Sequence, residues 1–311
     1  MPKHCCIYVF NSSYELNQFS FFDISGDKPY FKQKTSSFFK SPLYQSLSSD
    51  PGIKVTCYFS GTYLTSLKDQ EELNAISSFV DKGQIELLLG TYHNSFSCLF
   101  SSAFYNEEIV KHRETLQSMF GMTPQGFLNT AAIFSNDLLT SIKSEKVAYV
   151  IAPRVAWYLG AQPSSRILKS KDGKLSLVLV GESNDDEEVI VSYLPGYVSR
   201  HWDLQTLTTS ETIAAFQTEK KYNLPSPIGL DTEGRDLTYF LGNSLQKQVF
   251  KQINRLSSKV EDSKDEEMKK ELMVLASPAI FDLISQEYTI RYDYYSSLMN
   301  CLTDMELKLD A

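Results

Sequence analysis

The chain has 311 residues, 42% hydrophobic and 22% charged, the balance of a soluble globular protein with a large core. Its net charge of −8, with no clustered Lys/Arg stripe, argues against nucleic acid or an anionic membrane as a partner. Five scattered cysteines without a CxxC pair suggest neither a disulfide framework nor a metal site. No window approaches the roughly 20 apolar residues of a membrane span and no signal peptide opens the chain, so the expected location is cytoplasmic.

Taken in chain order, Cys5–Phe10 (CCIYVF) is a short apolar, β-prone run that predicts a buried strand, followed by a polar, aromatic-studded loop to about Pro51. Ile53–Gly61 predicts a second strand. TYLTSLKDQEELNAISSFVDKG, with apolar residues three and four apart, predicts one helix stopped by Gly83. QIELLLGTY is a third strand, and NEEIVKHRETLQSMFG a helix with acidic residues in its first turn and Gly121 beyond its end. PQGFLNT is a short strand, SNDLLTSIKSEK a helix opened by Ser135 or Asn136 as cap, and VAYVIAP a further strand. Strands and helices in alternation point to a parallel α/β layout. In such folds the functional residues sit where strands end, here at Asn11, Gly61, Thr91–His93, Asn129–Ala132 and Pro153–Arg154.

The stretch from about 155 to 225 is less regular. KLSLVLVGES and the later part of NDDEEVIVSYLP read as strands, and TSETIAAFQTEKK as a helix capped by Ser or Thr. SPIGLDTEGRD then places Asp231 and Glu233 just beyond a short apolar strand. From about Leu237 the pattern becomes helical throughout, and the run KVEDSKDEEMKKE reads as a solvated helix face and a helix–helix turn. The expected division is a barrel part over 1–236 and a helical region packed on it over 237–311.

Several segments, in order, resemble the α-amylase branch of glycoside hydrolase family 57. They are GQIELLLGTYHNSFSCLF, EEIVKHRETLQSMFGMTPQGFLNTAAIFSNDLLTSI, NSLQKQVFKQINRLSSKVED and YYSSLMNCLTDMELKL. The resemblance implies an incomplete seven-stranded parallel (β/α) barrel with a C-terminal helical bundle. It also implies a retaining mechanism on two carboxylates about 5–5.5 Å apart, one a nucleophile and one an acid/base. The family's nucleophile is a Glu directly after an Asn-Thr pair, whereas here Asn129-Thr130 is followed by Ala131. Its acid/base is an Asp two residues before a Glu, which GLDTEGRD supplies as Asp231 and Glu233, without the Phe-Gly that continues the family's pattern. The His-Gln-Pro that follows the family's first strand is replaced by Asn11-Ser12-Ser13, and a Ser-Asp-His-Phe stretch in its helical part by Ser277–Phe281.

Each candidate has a plainer reading beside the functional one. Asp231 and Glu233 could equally cap a turn. His93 would face the cleft as a substrate contact, or be a hydrogen-bonded structural histidine; His112, inside a helix, reads as structural. Trp157 and Trp202 suit either a stacking platform for a pyranose or the core, and Arg154 either substrate hydroxyls or an acid at the barrel mouth. A zinc site is not expected: His112 is followed four residues later by Leu116, and His93, His201 and Asp231 would all have to meet at one point. With neither a Gly-x-Ser-x-Gly elbow nor a phosphate-cradling glycine loop, no cofactor is expected.

The preferred reading is a catalytically defective family member with an α-glucan or maltooligosaccharide partner. The alternatives are an active glucan hydrolase or glucanotransferase using Asp231 with a different second carboxylate, and a non-catalytic scaffold or interaction protein.

Overall fold

A computed structural model of the chain describes residues 3–67, 69–142, 146–155, 165–181, 188–200, 205–230, 236–285 and 291–311. By its internal contacts the chain falls into two compact units: 1–11, 35–92 and 108–236 in the first, and 12–34, 93–107 and 237–311 in the second. The helical C-terminal part thus shares its unit with two earlier segments of the chain.

The strands of the N-terminal half are β1 (Lys3–Phe10), β2 (Ser13–Leu16), β3 (Phe31–Lys34), β4 (Val55–Phe59), β5 (Ile85–Leu89), β6 (Gly126–Leu128) and β7 (Tyr149–Pro153). They are followed by β8 (Ile167–Ser170), β9 (Ser176–Val180), β10 (Val189–Pro195), β11 (Thr206–Leu207) and β12 (Lys221–Tyr222). In the first unit, β10-β1-β4-β5-β6-β7-β9 pair side by side, every pair parallel. The end strands β9 and β10 come into contact without pairing. This is the incomplete seven-stranded (β/α) barrel that the sequence led us to expect. β8 adds to β9 in antiparallel fashion, β12 pairs with β8, and β11 pairs with β1.

Strand periodicity accounts for the interior. Cys5 and Ile7 of β1, Tyr58 of β4, Leu88 of β5, Leu128 of β6, Tyr149 and Ile151 of β7, Val178 and Val180 of β9, and Val189 and Val191 of β10 form one cluster, each at most 3% exposed. Residues two apart share a face, so each of the seven strands offers one face to this cluster. On β1 the opposite face, Cys6, Tyr8 and Phe10, is buried as well, which is why CCIYVF is apolar without alternation. Each such side chain contributes about 1.5–3 kcal/mol when fully buried.

The helix Thr209–Phe216 closes the end of the barrel at which the strands begin. Its Ile213 and Phe216 pack on the interior cluster. Thr209 binds the Thr56 hydroxyl through both its N–H (2.9 Å) and its own hydroxyl (2.8 Å). The Glu86 carboxylate accepts from the Tyr149 hydroxyl at 2.6 Å and from the Ser210 N–H at 2.9 Å. The capping box of Thr208 with Glu211 starts the helix where these contacts need it.

The second unit holds the antiparallel hairpin β2–β3 and the helices Ser244–Ser263, Glu266–Leu275 and Tyr292–Asp310. The turn expected in KVEDSKDEEMKKE falls at Lys264, which is left-handed (φ 57°), and Asp265 caps the next helix by accepting from the N–H groups of Glu267 and Met268. No helix among the described residues is long and apolar enough to cross a membrane.

Some local expectations are corrected. The single helix read across TYLTSLKDQEELNAISSFVDKG is two, Gly61–Ser66 and Gln70–Asp81. Asp69 captures the Glu71 N–H at 2.9 Å and begins a new helix there, an alternative that periodicity does not reveal. Asn136 does not cap the helix Leu138–Ile142, because its side chain is bonded to Asn223 and Leu224 instead. The supposed loop before Pro51 contains the β2–β3 hairpin and the helix Pro42–Ser49.

Candidate functional site

At the end of β6 the chain turns through an unusual conformation. Asn129 is extended, and its Oδ1 accepts the Thr130 N–H at 2.9 Å while its Nδ2 donates to the Ile133 carbonyl at 3.0 Å. Between these anchors Ala131 (φ 50°) and Ala132 (φ 49°) are both left-handed. For a residue with a Cβ that conformation costs about 1–2 kcal/mol. It persists because the turn is over-determined: Ala132 donates to the Asn129 carbonyl (2.9 Å), Ile133 to the Thr130 carbonyl (3.0 Å), and Leu230 to the Ala131 carbonyl (2.8 Å). Phe134 and Ile228 exchange backbone hydrogen bonds in both directions, so the segment ending at Leu230 runs antiparallel to the turn. Of residues 126–135, only Ala131 is more than marginally exposed. The turn therefore presents one side-chain position, filled by a methyl group.

Neighbouring strand ends are tied to this turn. The Thr91 and Thr130 hydroxyls meet at 3.0 Å, and the Tyr58 hydroxyl donates to the Thr91 carbonyl. Gly90 has no room for a Cβ, which would stand 2.5 Å from the Leu128 carbonyl oxygen and the Tyr58 ring. His112 is fully buried, accepts the Gly90 N–H on Nδ1 at 3.0 Å and donates from Nε2 to the Phe59 carbonyl at 2.8 Å. Burial lowers its pKa to about 4, so the ring is neutral and acts as a strut between the ends of β4 and β5. Its structural reading holds.

Arg154 follows β7, half-buried, with its N–H on the Val180 carbonyl at 2.7 Å. Beside it lies a residue that sequence reasoning missed. Arg166 is 1% exposed and donates to the carbonyls of Leu179 and Gly181, both at 3.4 Å. Nothing in SSRILKS marks it, since an arginine in a polar stretch ordinarily reads as surface. Asn11, just past β1, keeps its buried Oδ1 without a hydrogen-bond partner among the described residues, an acceptor left available at a strand end.

Ala131 and Arg154 both lie past C-terminal strand ends of the first unit, as expected. His93 is buried, at 4% exposure, and is grouped with the second unit. Asp231, Glu233, Trp157, Trp202 and His201 lie outside the described residues.

Comparison with known proteins adds a family. The sequence profile described as glycosyl hydrolase family 57 matches residues 7–183, more than half of the chain. The "Putative alpha-amylase" of Methanocaldococcus jannaschii is 20% identical over 341 residues, covering 85% of this chain and 73% of that protein. Among solved structures, the 4-alpha-glucanotransferase of Thermococcus litoralis superposes with a TM-score of 0.68 at 11% identity, covering 98% of this chain and 58% of that one. The family 57-type branching enzyme of Pyrococcus horikoshii also gives 0.68, at 10% identity, covering 96% of this chain and 88% of that one. At these identities the structural likeness shows a shared fold.

Proposed function

This chain belongs to glycosyl hydrolase family 57, and from that premise we propose that it is an α-glucan-binding member whose retaining glycosidase chemistry is lost at Ala131. The observation that carries the reading is the turn after β6. Its one partly exposed side-chain position, held by strained backbone and five backbone or side-chain hydrogen bonds, bears a methyl group where the family resemblance calls for a nucleophilic Glu. A methyl group cannot attack an anomeric carbon, and removing a nucleophile that works as part of a unit typically lowers the rate on the order of 10⁴- to 10⁶-fold.

The acid/base of the resemblance, Asp231, comes next in sequence after Leu230, whose N–H is bound to the Ala131 carbonyl. On this reading Asp231 is the acid/base, and Glu233, Arg154, Trp157 and Trp202 are the sugar contacts. Glu86 is no substitute nucleophile, because it sits at the opposite, closed end of the strands on Tyr149 and Ser210. The similarity to a glucanotransferase and a branching enzyme supports α-glucan as the ligand class.

The test is reducing-end release from maltoheptaose and soluble starch, together with calorimetric titration of maltoheptaose. The expected result is binding without turnover. Turnover above background that disappears in Asp231→Asn would overturn the proposed loss of chemistry, and the absence of binding would overturn the glucan assignment.

A further inference from the structure

Phe21 and Phe22, in the loop joining β2 to β3 of the second unit, are 74% and 95% exposed. Their rings meet edge to face, with centroids 6.2 Å apart and planes inclined by 78°. The loop that carries them is pinned at many points. The Ser20 N–H and hydroxyl both donate to the Asp23 carboxylate at 2.7 Å, and Lys28 reaches the same carboxylate at 3.1 Å. The helix Tyr292–Asp310 holds the rest: Ser297 Oγ accepts the Phe19 N–H (3.2 Å), Asn300 donates to the Phe19 carbonyl (2.9 Å), and the fully buried Asp304 accepts the Ser25 N–H (2.5 Å) and the Tyr30 hydroxyl (2.7 Å). A single exposed phenylalanine needs no explanation, but an adjacent pair held up on a preorganised tip is built for contact.

The chemistry of the tip narrows the occupant. Two phenyl rings expose roughly 300 Å² of apolar surface, well short of the about 800 Å² per partner of a stable protein interface. The chain's net charge of −8 opposes an anionic bilayer. Small, apolar, flat-sided surfaces of this kind suit the C–H faces of pyranose rings. The inclination of the rings discriminates further: a flat β-1,4-glucan ribbon lies best on coplanar rings, whereas an α-1,4-glucan curls and turns successive sugar faces away from one another. We propose that the Phe21–Phe22 tip is a holding platform for a single α-glucan chain. This rests on the glucan-binding reading above.

The experiment compares the full chain with a Phe21→Ala/Phe22→Ala variant for retention on insoluble starch and on microcrystalline cellulose, alongside calorimetric titration of both proteins with maltoheptaose. Because both side chains are exposed, the variant is expected to keep the thermal midpoint of the parent. Starch, but not cellulose, should retain the parent, and the variant should be retained at least ten-fold less. Unchanged starch retention by the variant overturns the platform and leaves glucan binding intact. So does maltoheptaose binding by a parent that starch does not retain, and equal retention of the parent on cellulose overturns the selectivity argued from ring inclination. A parent that neither binds maltoheptaose nor is retained on starch overturns both proposals.

Discussion

The backbone N–H of Leu230 is bound to the carbonyl oxygen of Ala131 at 2.8 Å. Two segments a hundred residues apart in sequence are thereby fastened together: the turn that closes β6, and the strand-like stretch that runs into Asp231. On the reading proposed above, these two segments are the ones that would carry the two carboxylates, with the Ala131 methyl group in place of one of them.

The first prediction concerns that missing side chain. Ala131→Glu introduces a carboxylate at the one half-buried position among the otherwise buried residues 126–135, so the fold should tolerate it. If Asp231 retains the acid/base role, this variant should release reducing ends from maltoheptaose at least 100-fold faster than the parent, a modest part of the on the order of 10⁴- to 10⁶-fold that a nucleophile confers. Adding Asp231→Asn to it should abolish the gain. Equal, background-level rates for parent and variant would mean that more of the site than the nucleophile has been lost.

Backbone strain gives a second test. Ala131 at φ 50° should be relieved by glycine, so Ala131→Gly is expected to stabilise the fold by up to about 1 kcal/mol, the left-handed penalty outweighing the added flexibility of the unfolded chain. Asn129→Ala should do the opposite, costing about 1–3 kcal/mol by orphaning the buried Thr130 N–H and Ile133 carbonyl. Urea unfolding midpoints would measure both, and a destabilised Ala131→Gly would contradict the claim of strain.

Acidification should weaken the protein through its buried histidines. His112 and His4 both have pKa values lowered from 6.5 to about 4, chiefly by burial, with Arg200 adding to the effect at His4. Between those pH values the unfolded chain takes up protons that the folded chain refuses, so stability is undiminished above pH 6.5, falls as pH drops from 6.5 toward 4, and levels off below. The share of His112 is on the order of 3 kcal/mol. A His112→Leu variant should lose part of this pH dependence. It should also be less stable at pH 7, because the Gly90 N–H and Phe59 carbonyl lose their partner. A pH series of unfolding curves that is flat from 7 to 4 in the parent would rule this out.

The closed end of the barrel should be equally sensitive. Glu86→Ala strips the acceptor from the Tyr149 hydroxyl and the Ser210 N–H, for an expected loss of about 1–3 kcal/mol. Ile151→Ala, which opens a cavity inside the interior cluster, should cost about 2–5 kcal/mol. Thermal unfolding of the two single variants and of the double variant would show near-additive losses if they act independently.

The alternation of elements was legible in the linear chain. Short apolar runs such as Cys5–Phe10 and Tyr149–Pro153, interleaved with helices stopped at Gly83 and Gly121, point to a parallel α/β layout with strands buried on both faces, and the family resemblance made it a barrel. It also showed that a methyl group follows Asn129-Thr130, since that is a matter of residue identity alone. Features that depend on partners distant in the chain emerge only in the folded molecule. Arg166 is buried because the carbonyls of Leu179 and Gly181 accept its protons. His112 is a strut because Phe59 and Gly90 come to it. Ala131 and Ala132 are held left-handed because Asn129 and Leu230 clamp them from both sides, a conformation that the local preferences of alanine would never predict. Propensity and periodicity are local and survive in a linear reading, whereas burial, tautomer and strain are set by whichever distant groups the fold brings within hydrogen-bonding distance.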